Sequence, residues 1–220
     1  MLSDRLRRAL DLPSHDFRRA FNLRWEYEQA DTSIAWDGEP DFEALRAALA
    51  ESEEEPEAAF HRLLGLAKDG SVVAMTAVGE AYYWGSGTVV DPTEGEDWLR
   101  KAYELGSRRG LLSYGRVIYR RHDLSTAERI FRKGADAGWP EARYRLADAM
   151  WHSAPWKDAP VEVWMLVEAA ASAGHPFARQ WHATAMARGR HGLASVPRGL
   201  RLLSVFLGEV RRAWEVRNVG

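Results

Sequence analysis

The side chains in this chain with reactive or ligating chemistry are seven histidines and thirty-two carboxylates, and no cysteine accompanies them. The histidines, at positions 15, 61, 122, 152, 175, 182 and 191, form no HExxH, and His175 and His182 have no carboxylate at ligand spacing. There is no GxSxG elbow, no Walker loop and no GxGxxG; Gly85-Ser86-Gly87 follows no strand and reads as a turn between helices. The carboxylates from Glu51 to Glu57 lie on a polar stretch broken by Pro56, whereas a general acid or base needs a desolvated cleft. No nucleophile can be paired with a base, so the expectation is a protein without catalytic residues, cofactor or metal. What does recur is a set of aromatic and charged residues. Tyr83, Tyr119 and Trp151 make one row, Glu80, Arg116 and Asp148 a second, and Trp84, Arg120, His152 and Arg188 a third, with Tyr144 close by. Rigid aromatics beside arginines and carboxylates are the material of binding hot spots, because they bury much area with few rotamers to freeze.

The elements that must position these rows come from a repeat. Gly70, Gly106, Gly138 and Gly174 close successive units at steps of 36, 32 and 36 residues, and small residues open them at Ala74, Gly110, Ala142 and Ala178. A period of this size is the mark of a helical repeat array. In the stretch from Ser71 to Gly106, Ala74, Val78 and Tyr82 share one helical stripe, and Gly79 leaves room for a close neighbour. That helix should end near Gly85. Asp91 then reads as an N-cap with Pro92 at the first helical position, opening a second helix that turns Trp98, Leu99, Ala102 and Tyr103 inward. Ser125 with Glu128 reads as a capping box for the second helix of the next unit, and Pro140, Pro176 and Pro197 read as first-turn prolines.

On each opening helix, the positions two, six and nine after the small residue lie roughly 160° from the inward stripe. They give Thr76, Leu112, Tyr144 and Gln180, then Glu80, Arg116, Asp148 and Thr184, then Tyr83, Tyr119, Trp151 and Ala187, with Trp84, Arg120, His152 and Arg188 one position on. Two readings of the aromatic row stand: a binding groove, or wedges packed between adjacent opening helices.

The pattern of Ala74, Val78-Gly79, Tyr82, Gly85, Gly95, Trp98, Ala102 and Gly106 resembles the Sel1-like repeats, relatives of the tetratricopeptide repeats. Three further units keep it in part: Gly110, Tyr114-Gly115, Ile118, Ala127, Ile130, Ala135 and Gly138; Ala142, Leu146-Ala147, Met150, Leu166, Ala170-Ala171 and Gly174; Ala178, His182-Ala183, Met186, Gly189, Leu202 and Phe206. The resemblance implies an all-α fold, a right-handed superhelical solenoid of helix pairs, with units near 71–106, 107–138, 139–174 and 175–210. Residues 1–56 are expected to supply N-terminal capping helices and a degenerate repeat, and 57–220 the array with a C-terminal capping helix, in one continuous domain. It also implies a non-catalytic module that holds a protein partner in a concave groove, as adaptors, assembly regulators and bacterial immunity proteins of this family do. The site expected there comprises Glu80, Tyr83, Trp84, Arg116, Tyr119, Arg120, Tyr144, Asp148, Trp151, His152 and Arg188. Cysteine-rich members that hydrolyse β-lactams rely on disulfide pairs, which a chain without cysteine lacks.

Charge and composition agree with a protein partner. The net charge of −2 argues against a general nucleic-acid binder, although Arg108 to Lys133 carries eight basic residues against Asp123 and Glu128 and keeps RNA or phosphate binding as an alternative. Asp37 to Phe60 has a local net charge of −8, and His175 to Gly220 one of +6, which suits an electrostatically steered partner or head-to-tail self-association, and equally two solvated faces. A monomer or weak homodimer is expected. The first residues lack the apolar core of a signal peptide and no apolar run approaches the roughly 20 residues that span a bilayer, so the expected location is cytoplasmic, with no membrane partner. Helices are expected over 3–12 and 14–30, the latter with Phe17, Phe21 and Trp25 on one stripe.

Overall fold

The computed structural model describes residues 39–52, 54–153 and 160–218, with side chains through Arg212. The helices expected over 3–12 and 14–30, the loop bearing Trp36, the connection carrying Trp156 and the Trp214 side chain lie outside the described residues. Among the described residues there is no strand, and the helices are α1 (Phe42–Glu51), α2 (Pro56–Lys68), α3 (Val72–Trp84), α4 (Pro92–Glu104), α5 (Arg108–Arg120), α6 (Leu124–Asp136), α7 (Pro140–Ser153), α8 (Val161–Ser172), α9 (Pro176–Ala187) and α10 (Val196–Asn218). A 3₁₀ turn, Leu193–Ser195, leads into α10.

The recurring glycines are explained by two local devices placed back to back. Gly70, Gly106, Gly138 and Gly174 adopt φ of 101°, 85°, 87° and 92°, a region open to glycine and strained for other residues. At Gly70, Gly106 and Gly174 the glycine amide donates to Ala67, Tyr103 and Ala171, while the next amide donates to Leu66, Ala102 and Ala170. These paired bonds satisfy the last carbonyls of one helix. The residue that follows then caps the next helix: Ser71 Oγ accepts from the Ala74 amide at 3.1 Å, Ser107 Oγ from Gly110 at 2.9 Å and His175 Nδ1 from Ala178 at 3.2 Å. A closing helix thus turns into the next opening helix within three residues at 69–71, 105–107, 137–139 and 173–175.

The other turns vary in length. Asp91 caps α4 by accepting from Thr93 and Glu94, with Pro92 as the first helical residue, and Gly85 ends α3 at φ 75°. The α5–α6 turn, residues 121–123, is four residues shorter than 85–91, which accounts for the shortened step from Gly106 to Gly138. His122 bends it at φ 62°. Here the cap departs from expectation. Asp123 accepts from the Thr126 amide at 3.1 Å and from Ser125 Oγ at 3.0 Å, so the shortened turn draws the helix start back to Leu124 and leaves Ser125 inside the first turn.

The described helices fall into two compact units, one within residues 29–134 and one from Ala135 onward. In the first, α1 to α5 pack in consecutive pairs, and α3 also meets α5. Leu45, Phe60, Leu63, Ala74, Val78 and Ala102 form its core. The expected close approach at Gly79 is present: a Cβ there would stand 2.7 Å from Leu99 Cγ and 2.9 Å from the Gly95 carbonyl, while one on Gly95 would stand 2.9 Å from the Gly79 carbonyl. In the second unit α7 to α10 pack consecutively around Leu146, Val163, Val167, Ala183, Phe206 and Val210. Fully burying each large side chain contributes about 1.5–3 kcal/mol. Leu202, which stands at a position of the repeat pattern, is 39% exposed. The last helix seats instead through Gly199, whose missing side chain admits the backbone of Met186 and Ala187.

Candidate functional site

In the first unit the opening helices α3 and α5 are tied by the charges expected to line a binding surface. Glu80 accepts from Arg109 Nη2 at 2.8 Å and from Ser113 Oγ at 2.5 Å, with its side chain 16% exposed. Burial alone would raise the Glu80 carboxyl, but the Arg109 guanidinium and the Ser113 hydroxyl outweigh it, Arg116 adds its charge, and the group is held below the ordinary carboxylate range. Glu80 and Arg116 therefore act in an ion cluster that joins neighbouring repeats. Tyr83 is half-buried: a Cβ on Gly95 of α4 would stand 3.2 Å from its own Cβ, and its ring meets Trp84 edge-on at 4.9 Å. Tyr119 is likewise half-buried. Trp84 is 52% exposed, and the exposed Arg120 lays its guanidinium over that ring at 4.6 Å. This pair, at the C-terminal ends of α3 and α5, joins the helix tips while keeping most of its surface in solvent.

In the second unit Tyr144 stacks on His175 at 4.4 Å and on Phe177 at 5.7 Å, and meets Trp181 edge-on at 6.2 Å. His175 is fully buried, so Tyr144 covers the joint that starts α9. Asp148 lies beneath His152, whose Nδ1 stands 2.8 Å from the Asp148 carbonyl oxygen and 3.6 Å from its carboxylate. Trp151 is half-buried in a corner of three indoles, 5.5 Å from both Trp164 and Trp181 at 78° and 86°, with Arg190 above it. Arg188 is exposed at the end of α9.

The rows separate by register. At the second position Thr76 and Leu112 are buried, with Thr76 Oγ1 donating to the Val72 carbonyl and 3.4 Å from Ser107 Oγ; this row packs between neighbours, although the helical angle placed it opposite the core. The sixth and ninth positions are half-buried, except that Ala187 carries no large side chain. The tenth, Trp84, Arg120, His152 and Arg188, is exposed in every unit. An opening helix is flanked by neighbouring helices, so the row at its C-terminal end is exposed while the rows before it are buried or half-buried, a constraint that the geometry of one isolated helix does not contain.

Residues 72–107 match the family model described as Sel1 repeat. The chain carries a Sel1 repeat. Beyond that stretch, the fold around the Sel1 repeat is similar to two solved structures. One is a Sel1 repeat protein from Oxalobacter formigenes, with a TM-score of 0.65 at 16% identity over 86% of this chain and 82% of that one. The other is c5321, a protective antigen present in uropathogenic Escherichia coli strains displaying an SLR fold, with a TM-score of 0.63 at 15% identity over 83% of this chain and 40% of that one. Among curated proteins no sequence matches. The helix-pair array built on the Sel1 repeat is thus an α-solenoid in fold class.

Three features near these rows escaped the sequence. Trp164 and Trp181 join Trp151, and Arg190 covers two of the three rings. Their spacing follows no single helix, because they come from α7, α8, α9 and the turn after it. Four of the eight charges of the basic stretch Arg108 to Lys133 have partners within the fold: Arg109 with Glu80, Arg121 with Glu96 at 2.6 Å, Arg120 over Trp84 and Lys133 over Tyr103 at 4.7 Å. Among the described residues no group of three His, Asp or Glu side chains converges as metal ligands would, and no helix is long and apolar enough to cross a membrane.

Proposed function

We propose that this chain is a non-catalytic scaffold that binds a partner protein through the exposed C-terminal ends of its opening helices. The observation that carries this reading is the uniform exposure of Trp84, Arg120, His152 and Arg188 beside a half-buried aromatic row. Exposed tryptophan and arginine held in place by packed neighbours are what a hot spot requires, since little rotamer freedom is left to lose on binding. The Sel1 repeat supports the same reading, because fold leaves function to the surface and this surface presents recognition residues. Glu80, Arg116 and Asp148 serve by fixing these rims, and Tyr83, Tyr119, Tyr144 and Trp151 by supporting them. The role suits an adaptor or an immunity-type inhibitor directed at one partner.

Photo-cross-linking tests the proposal. A benzophenone amino acid placed singly at Trp84, Arg120 or Arg188 in the native host should yield an adduct with one protein. The same probe at Val161, which is exposed on a closing helix, should not. Adducts no stronger at the three rim positions than at Val161 would sink the reading.

A further inference from the structure

Arg190 in the second unit is held firmly and given no carboxylate. It follows Gly189 at φ 72°, and α9 closes through the Gly189 amide to Met186 O at 2.9 Å and the Arg190 amide to Ala185 O at 3.0 Å. These bonds fix the Arg190 backbone. Its guanidinium carbon lies 5.2 Å from the Trp164 ring centroid and 5.7 Å from that of Trp151. Trp181 stands edge-on to both, at 6.2 Å and 5.5 Å, and closes the corner. By contrast Arg62, Arg100, Arg109, Arg121 and Arg179 each meet a carboxylate, while among the described residues Arg190 meets none.

A guanidinium held over indole rings keeps N–H donors of its planar fork for another group. The complement of that fork is a carboxylate, bound by two parallel hydrogen bonds. Arg190 is exposed, and the sequence from His175 onward carries a net +6, so the local field favours an anion. We infer that Arg190, mounted on Trp164 and Trp151, is a receptor for an Asp or Glu side chain of the partner protein. This rests on the protein-binding reading above and adds the partner's chemistry at one point. A nucleic acid fits less well, because the indole faces that would stack bases lie under Arg190 and the whole chain has a net charge of −2.

The test uses the full chain and a fluorescein-labelled peptide of consecutive glutamates, read by anisotropy at fixed ionic strength. Arg190→Gln should weaken binding about tenfold, the loss of one charge-assisted bidentate pair. Arg201→Gln removes the same charge elsewhere in the basic stretch, at an exposed residue that no aromatic supports among the described residues, and should weaken binding only about two-fold. Arg190→Lys keeps the charge but loses the fork, and should weaken binding about five-fold. All three should melt as the parent does, since the side chain is exposed. Equal losses in Arg201→Gln and Arg190→Gln, or unchanged binding by Arg190→Lys, would overturn the receptor in favour of a diffuse field. Tighter binding of an oligouridylate than of the glutamate peptide would overturn its carboxylate character. Rim cross-links that persist while Arg190→Gln binds normally would overturn this inference alone. Absent cross-links with a selective Arg190 loss would overturn the protein-partner reading alone.

Discussion

Replacing Gly79 by alanine adds one methyl group where α3 and α4 cross. The new carbon would stand 2.7 Å from Leu99 Cγ, 3.0 Å from Leu99 Cδ2 and 2.9 Å from the Gly95 carbonyl oxygen. Leu99 can shift its rotamer, but the carbonyl belongs to the backbone of α4, so the helices must part by roughly 0.4 Å to restore an ordinary contact, and packing of that quality is felt. Overpacking costs about 1–3 kcal/mol, a clash with backbone falls in the upper part of that range at about 2–3 kcal/mol, and the gain from replacing a mid-helix glycine offsets about 1 kcal/mol of it. The control is Gly65→Ala on α2, where a Cβ would meet nothing within 4 Å and only the gain remains. In urea titrations followed by circular dichroism, Gly79→Ala should therefore lose about 1–2 kcal/mol and Gly65→Ala should gain about 0.5–1 kcal/mol. On heating these amount to shifts of about 2–4 °C per kcal/mol in opposite directions. The double variant Gly79→Ala with Gly95→Ala should lose less than the sum of its parts, because helices already separated for one methyl admit the second more easily. A Gly79→Ala protein as stable as the parent, or strict additivity in the double variant, would refute the crossing as the tight point of this unit.

Three further outcomes follow from the local chemistry. Glu80 titrates below its ordinary value when folded, so its contribution is present above the unfolded carboxylate range, near pH 4.3, and fades as pH falls through the lower folded value. Glu80→Gln should lower stability at neutral pH by about 1.5–3 kcal/mol and flatten the loss of stability on acidification below about pH 4.5, as seen in melts across that range. His182 is likewise depressed, first by burial, with His191 and Arg198 adding to it against the opposing charge of Glu168. Its contribution is present above about pH 6.5 and fades as pH falls, so His182→Gln should flatten the stability profile just below that value. Asp91→Ala removes the acceptor of two amides at the start of α4 and should cost about 1 kcal/mol, with faster hydrogen exchange confined to the first turn of that helix.

The periodic glycines, the cap at Asp91, the prolines heading α4, α7 and α9 and the close approach at Gly79 could all be read from residues before any coordinates, because each is fixed by chain-local chemistry. The Ser125 cap was misplaced since its position depends on a turn shortened by four residues, which changes where the helix begins rather than what could cap it. The site was legible only in part. The composition of the rim row stood in the sequence, but which row reaches solvent depends on how neighbouring opening helices crowd one another, and helical angle alone turns the buried Thr76 farther from the core stripe than the exposed Trp84. The engagement of Glu80 by Arg109 and Ser113 spans about thirty residues of chain, and the indole corner gathers side chains from three helices. Such meetings leave no periodic trace.

The alternation of invariant three-residue joints with turns of changing length divides the chain's tolerance for growth between two kinds of connection. At the joint, a left-handed glycine hands over at once to a capping side chain, and an inserted residue would break both helices' end bonds together. At the other kind of connection the stretch 85–91 already exceeds 121–123 by four residues without altering the helices on either side. Peptide tags, fluorophores or grafted recognition loops should therefore be accepted between an opening helix and its own closing partner, and rejected one helix later.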